Sequence, residues 1–478
     1  MKPLLGSLLI CAFSASPARA QPTASLEVIT LEQALARTRQ NNATWKSLDE
    51  YIVQADDYRS IGVGLFLPKI MGEGKWTHLG ERNVPDLAAL DQMTGLLGAL
   101  TEGMLEAHPE QFARFAPYLQ SDSSGGESPF ENFVPRQDKL SATFSLFVPV
   151  FDAKSIAFVR GGYDQYDSAL QKIGYAREQL LFGVAKLYFG LCTLQRMVKV
   201  TDMAMASAQE HLRGTKERAA AESATELEVK RAELEVRKNE ARRIQVVAEL
   251  EKAKATFRYL TGFAGDFLVV DPELASDIEQ AHEKDWLDLA QRQRKDLVAA
   301  KIDVLVSGHE EGKVWAQYLP TVNAVGVAMF DNDSASRFDD DPFSWVVMAT
   351  LNINIWDGGI RERQLDIAES QARQAALAVT DLQSKVNSSV SQARRALDDS
   401  TAARTVTEKQ VEVARAARDL AVASEKEGMA TYLAVIDANT MVEGAEAQLL
   451  AAELSEAVAL LDLWAASGNP LIWVTQSP

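Results

Sequence analysis

LSATFSLFVPVFD, residues 140–152, reads as a strand with two unlike faces. Leu140, Ala142, Phe144, Leu146 and Val148 share one parity, and Ser141, Thr143 and Ser145 share the other. A period of two gives a pleated strand one apolar and one hydroxylated side. Roughly a hundred residues of helical pattern follow, far beyond the length of an ordinary helix. A strand of this kind needs partners, and the rest of the chain decides where they come from.

It has a counterpart. In SWVVMATLNINIWDGG, residues 344–359, Trp345, Val347, Ala349, Leu351 and Ile353 lie on one parity. Val346, Met348, Thr350, Asn352 and Asn354 lie on the other. Phe151-Asp152 aligns with Trp356-Asp357 at an offset of 205, and Val229 and Gly262 align with Val435 and Gly468 at 206. Leu67-Pro68 aligns with Leu319-Pro320 at 252, and the difference collects where residues 81–138 correspond only to 331–343. The spacing predicts an internal duplication with one long insertion.

Each copy carries helix, strand, strand, long helix and returning helix, so the fold class expected is mainly α with a small β portion. The first repeat, 21–262, opens with a helix over 31–66, for which Thr30 and Gln33 make a capping box. Pro68 ends it, strands follow at about 69–79 and 139–151, and the insertion 81–138 lies between them. A linker, 263–282, leads to the second repeat, 283–468, with strands at about 321–330 and 344–356 and a tail at 469–478. The long helices are expected to reach about 221 and 427, and Gly262 and Gly468 to cap the returning ones. A helix over 360–427 is about 100 Å long. Its stripe of Leu382, Val386, Val390, Ala393 and Leu397 is narrow, as in a coiled-coil-like wall with one wet face.

Residues 1–20 have the form of an export signal: Lys2, a short apolar run, and Ala18-Arg19-Ala20 before a cut after Ala20. Cys11 falls inside it after Ile10, which does not suit a lipid-modified cysteine, and Cys192 alone remains, so no disulfide framework is expected. The net charge of −18, or −20 without Lys2 and Arg19, disfavours a nucleic-acid partner. No catalytic, cofactor or metal constellation is present. His78, His108, His211, His282 and His309 are scattered, and GEGK at 72–75 lacks the spacing of a phosphate loop. DNDSASRFDDDP, 331–342, lacks the Gly and Glu of a calcium loop. Residues 86–119 have an amphipathic helical cast, and SDSSGGESP, 121–129, reads as a flexible stretch.

Ten to twelve residues is the length of a tilted strand in an outer membrane. The apolar parities then face lipid, and Ser141, Thr143, Ser145, Thr350, Asn352 and Asn354 face a watery interior. Trp76, Phe151, Trp345 and Trp356 stand near strand ends, where an aromatic girdle belongs. Four strands cannot close a barrel, and open edges in hydrocarbon leave backbone groups unpaired. Partners on other copies solve this: a dimer supplies eight strands and a trimer twelve. The alternative is a periplasmic scaffold of long helices with a small soluble sheet.

At this point the chain resembles the TolC-type outer-membrane efflux channel family, over nearly everything after residue 20 except 81–138. The carriers are the duplication, the Leu-Pro entries, VPVFD, INIWDGG, RYLTG at 258–262 and the turn GMATYLAVIDA at 428–438. The family turn runs approximately Gly-x-x-Ser/Thr-x-x-Asp-Val-x-x-Ala, and Gly428, Thr431, Val435 and Ala438 fit it. The first copy, AESATELEV, keeps Thr225, Glu228 and Val229 but has Glu222 for the Gly, and the second has Ala434 for the Asp. Glu222 therefore predicts a different tip geometry or a different partner contact.

The resemblance implies a homotrimer with a twelve-stranded barrel in outer-membrane lipid, continued by a helical barrel across the periplasm. It implies a passive export duct, not an enzyme, that works with a periplasmic adaptor and an inner-membrane pump on small molecules or proteins. It makes Gly428, Thr431, Val435, Thr225 and Glu228 the hairpin-tip contacts for the adaptor. Asp437 becomes an acidic gate, where three carboxylates on one axis attract cations and obstruct anions. By position, the insertion lies outside the cell.

Overall fold

The computed structural model describes residues 27–78, 138–272, 283–332 and 342–471. The signal segment, nearly all of the insertion, the end of the linker, most of the acidic 331–342 loop and most of the tail lie outside the described residues.

The chain opens with β1 (Glu27–Ile29), α1 (Leu31–Asn41) and α2 (Ala43–Gly64). The capping box forms: Thr30 Oγ1 accepts from the Gln33 amide at 3.3 Å, and the Thr30 amide donates to Gln33 Oε1 at 3.2 Å. The single helix expected over 31–66 is two helices, broken at Asn42. Asn42 takes an extended conformation, and its side chain accepts from the Trp45 amide at 3.0 Å. Its Nδ2 donates to the Leu260 carbonyl at 2.8 Å. A polar residue that caps one helix while tethering another competes with continuous helix, which apolar spacing alone does not reveal.

Next come β2 (Lys69–His78), β3 (Asp138–Phe151), α3 (Ala153–Ala220) and α4 (Glu226–Thr261), with the short β4 (Phe267–Val269) parallel to β1. The second half supplies α5 (Glu283–Gln293), α6 (Lys295–Ala316), β5 (Thr321–Asp331), β6 (Phe343–Asn352), α7 (Ile360–Lys426) and α8 (Tyr432–Ser467). Helix lengths in the two halves run 11, 22, 68, 36 and 11, 22, 67, 36 residues. The break recurs at Arg294, whose Nη1 donates to the Ala466 carbonyl at 3.1 Å, as Asn42 reaches Leu260.

Gly262 and Gly468 cap α4 and α8 at φ 69° and 74°. Each also lies against the opposite break. A Cβ on Gly262 would stand 2.6 Å from Asn41 Cβ, and one on Gly468 would stand 2.9 Å from the Arg294 nitrogen. Only glycine satisfies both the left-handed backbone and the close approach.

Helices α2, α3, α6 and α7 pack side by side, α4 and α8 return along α3 and α7, and α8 also touches α3. The main apolar core sits at mid-height, where Leu181, Tyr188, Phe257, Val390, Leu461 and Trp464 meet. Tyr188 fixes β1 and β4 there, its hydroxyl 2.8 Å from the Ile29 carbonyl and 2.7 Å from that of Val270.

The other sheet is antiparallel in the order β2-β3-β5-β6. β6 stops at Asn352, short of the expected 356, because β5 begins at Thr321 after Pro320 and has no residue to pair further. Asn354 and Trp356 therefore lie beyond the strand, in the connection to α7.

Candidate conduit wall and hairpin tips

Register converts the strand parities into sheet faces. Gly72, Phe144 and Ala328 align across β2, β3 and β5, and Trp345 of β6 sits opposite Ala328. On this face Phe144, Trp345, Val347 and Leu351 are exposed, Trp345 by 70%. Phe144 covers Gly72, where an added Cβ would meet its ring at 3.3 Å. The other face carries Ser141, Thr143 and Ser145 on β3 and Thr350 and Asn352 on β6, with Ser145 buried.

Phe151 has the wrong parity for the apolar face, yet it reaches that face. The register shifts between Pro149 and Phe151, so Pro149 opposes Asn323 and Phe151 opposes Val322. Proline cannot donate to the ladder and favours such a bulge, which re-aims the residues after it. Trp76 and Trp345 lie toward one end of the sheet, and Phe151 and Trp356 at or beyond the other.

Asn354, expected on the hydroxylated face, has another task. Arg361, buried in the first turn of α7, donates to the Asn354 carbonyl at 2.9 Å and the Ile355 carbonyl at 3.3 Å. Its Nε meets Asp357 at 3.0 Å, and Tyr318 stacks on it at 4.4 Å. The carbonyls a longer β6 would have laddered thus serve a buried guanidinium. Sequence reasoning passed over Arg361; an arginine four residues after the Asp of INIWDGG is a thin signal.

The two hairpin tips share one geometry. Glu222 has φ 52°, and its counterpart Gly428 has φ 72°. The Ser223 amide donates to the Arg218 carbonyl at 2.8 Å, and the Met429 amide to the Ser424 carbonyl at 2.8 Å. Both are the six-to-one closure of a helix end. Of the two expectations for Glu222, altered geometry is therefore excluded, because a glutamate tolerates the left-handed conformation at a cost.

The tips differ in the next helix. Thr225 and Glu228 form a full capping box: the Thr225 amide donates to Glu228 Oε2 at 2.7 Å, and the Glu228 amide to Thr225 Oγ1 at 3.3 Å. Those hydrogen bonds hold the Glu228 carboxyl below its ordinary pKa. Thr431 occupies the matching place on α8 without a side-chain capping bond, since Ala434 has nothing to return. Val435 is only 2% exposed, so it packs within the tip and does not present itself to a partner. Asp437, three residues from Ala434 along α8, is exposed.

One cluster was not anticipated. His211 of α3, Glu235 and Asn239 of α4, and Asn439 and Glu443 of α8 line a cavity of about 20 Å³ between the hairpins. Asn439 Nδ2 donates to His211 Nε2 at 3.2 Å, which requires that nitrogen to be unprotonated. Burial lowers the His211 pKa and raises that of Glu443, with Arg242 opposing the latter from 3.9 Å. The cavity is polar and large enough for one water.

The chain matches the outer membrane efflux protein family over residues 113–263 and 286–469. It is 23% identical to the outer membrane efflux protein BepC of Brucella suis, over 61% of this chain and 64% of that protein, a little under two thirds of its length. Among solved structures it is similar to a membrane protein from Pseudomonas aeruginosa, with TM-score 0.70 and 18% identity over 96% of this chain and all of that one. It is equally similar to the outer membrane protein VceC of Vibrio cholerae, with TM-score 0.70 and 16% identity over 92% and 96%. At these identities the structures establish a common fold.

Proposed function

The chain belongs to the outer membrane efflux protein family, and we propose that three copies build one export duct from the outer membrane into the periplasm. The observation that carries this reading is a sheet with an apolar exposed face, a hydroxylated opposite face and two open edges, β2 and β6. In hydrocarbon an open edge costs several kcal/mol for each unpaired group, so β2 of one copy pairs with β6 of the next. Twelve strands then close the barrel. Trp76 and Trp345 lie at its outer rim and Phe151 and Trp356 at its inner rim, with Ser141, Thr143, Ser145, Thr350 and Asn352 toward the passage.

The helical hairpins carry the passage inward. Thr225, Glu228, Gly428 and Thr431 shape tips for a periplasmic adaptor, and an inner-membrane pump supplies energy, since a conduit has none of its own. Three exposed Asp437 side chains near the axis favour cations over anions at the inner end. The repeats 21–262 and 283–468 act as two quasi-equivalent halves of each protomer.

The detergent-corrected native mass tests the assembly: three processed chains are expected, and a detergent-free monomer in the periplasm would sink the duct. Replacing Asp437 by Ala is expected to lower the cation preference of single-channel currents. A soluble scaffold is the weaker reading, because a sheet in water does not leave Trp345, Val347 and Leu351 uncovered on one face.

A further inference from the structure

One face of α3 holds a groove that neither the sheet nor the tips require. It has a volume of about 300 Å³ and lies between α2, α3 and α6, within the first turns of α3 below the sheet. Its floor is made of residues without bulk. Ala55, Gly161, Gly162 and Ala169 line it, and Gly161 lets α3 approach α6 closely, since a Cβ there would meet His309 Cβ at 3.1 Å. Its walls are aromatic: Tyr51 and Tyr58 from α2, Phe158 and Tyr166 from α3. The Arg59 guanidinium packs on the Tyr166 ring at 4.9 Å and helps to hold it in place.

The charged groups that line the groove are of one sign. Lys172 and Lys313 reach it, Gln54 and Gln165 supply neutral hydrogen bonds, and no carboxylate is among the described lining residues. The counter-ions stand off the groove on α6: Asp303 lies 2.8 Å from Lys172, and Glu310 pairs with Lys313. Lys313 also holds its ammonium 4.5 Å from the Phe158 ring centroid. In a chain with 67 acidic against 49 basic side chains, the lining itself holds two ammonium groups and no carboxylate, their acidic partners being held on α6.

The direction of opening follows from helix phase. Phe158, Gln165 and Lys172 recur every seven residues, whereas Tyr188, which grips β1 and the Val270 carbonyl, is two residues out of that step. At about 100° per residue, Tyr188 lies roughly 120–160° round the helix from these three. The groove therefore opens away from the β1–β4 sheet. It is built by one chain, and its volume is at the lower end of the range for small-ligand sites, about 300–1,000 Å³.

We propose that this groove is a subsite on the conduit wall for flat aromatic organic anions, rings that carry a carboxylate or sulfonate. The rings stack between Tyr51, Tyr58 and Tyr166, and the anion meets Lys172 or Lys313. The proposal rests on the duct reading for its place on the export path, but not for the groove itself.

The test is a titration of the full-length protein in nanodiscs with 2-naphthoate, followed by saturation-transfer NMR, against 2-naphthylmethylammonium. Saturable naphthoate binding is expected, at least tenfold tighter than the ammonium analogue. Tyr58→Ala and the groove-filling Ala169→Trp are each expected to weaken it at least tenfold, and Lys172→Gln with Lys313→Gln to erase the preference for the anion. Equal affinity for the two probes, or naphthoate binding indifferent to Tyr58→Ala, would overturn the proposal. Tyr58 is exposed, so that variant keeps the fold even if Ala169→Trp does not. The native mass of the same sample separates the two readings. A trimer that fails to bind removes the groove alone, and binding by a protein that is not trimeric removes the duct alone.

Discussion

Glu222 is the only non-glycine residue with positive φ among the described residues. A left-handed L-residue costs about 1–2 kcal/mol, and the freedom of an unfolded glycine returns roughly 0.5–1 of that. Glu222→Gly is therefore expected to steady the first tip by about 0.5–1 kcal/mol, read as amide exchange at Ser223 slowed about two- to fivefold. Unchanged or faster exchange would mean that the side chain supplies a compensating contact. The capping box beside it is pH-dependent in a fixed direction. The folded Glu228 pKa is depressed, so its contribution is complete above the ordinary glutamate value of about 4.3 and is lost as pH falls through the folded value. Exchange protection at the Thr225 amide, which donates to the Glu228 carboxylate, should fall at acid pH in the wild type. It should already be low at neutral pH in Glu228→Gln, where the acceptor is weaker. At the other end of the helices, Arg361 and Asp357 form a pair whose side chains are 5% and 15% exposed. Arg361→Met strands Asp357 and three carbonyls, those of Gln317, Asn354 and Ile355, a loss of about 3–5 kcal/mol that lowers the thermal midpoint of the solubilised protein. Arg361→Lys should rescue little, because an ammonium cannot fork to several carbonyls at once.

Between elements, the contact of α3 with α8 is where the two hairpins of a chain hold each other, and His211 lies in it. Its folded pKa is lowered by burial, so the unfolded site binds the proton first and the seam weakens as pH drops below about 6.5. Glu210 and Arg218 on its own helix, Glu425 on α7, and Glu235 and Glu443 across the cavity are the charges that face it. Glu443, with a raised pKa, acts in the opposite sense nearer the carboxylate range. His211→Gln should remove the loosening near pH 6, seen as amide exchange in α8 around Asn439, and leave the lower-pH change in place. Persistence of the step near pH 6 in that variant would assign it elsewhere. The seam also marks the limit of sequence reading. Helix identity, length and capping were legible because they are local: proline stops, a narrow apolar stripe, Thr-x-x-Glu. Asn42 and Arg294 were not, since each breaks a helix by bonding a carbonyl more than 170 positions away. His211 meets Asn439 over a comparable distance, with no spacing rule to join them. For the same reason the parity of residues 140–148 gave the sheet faces correctly, while the bulge at Pro149 and the early end of β6 escaped it.

At the scale of the whole molecule, the decisive property is that one face of the four-stranded sheet is dry and the other wet, and this can be tested by a pair of substitutions. Val347 lies on the apolar face near mid-strand, opposite Gly326, and is 69% exposed in the isolated chain. Thr143 lies on the other face, three register positions away along β5, opposite Glu73 and Met329. An arginine facing lipid near the bilayer midplane costs about 2–4 kcal/mol per copy, whereas one facing water has little to lose and here gains Glu73 as a neighbour. In a trimer the lipid-facing penalty is met three times in a single barrel, so the effect on assembly exceeds that on any one chain. Val347→Arg should leave little detergent-resistant trimer in the outer-membrane fraction, with the chain accumulating as monomer or degraded. Thr143→Arg should assemble normally and change only the ion preference of the open pore. Because both variants place the same side chain in the same sheet, general intolerance of arginine cannot produce that difference. If both assemble, the exposed apolar face is not against lipid; if neither does, the hydroxylated face is not against water. Only the split outcome fits a sheet whose missing strands come from two further copies of the chain.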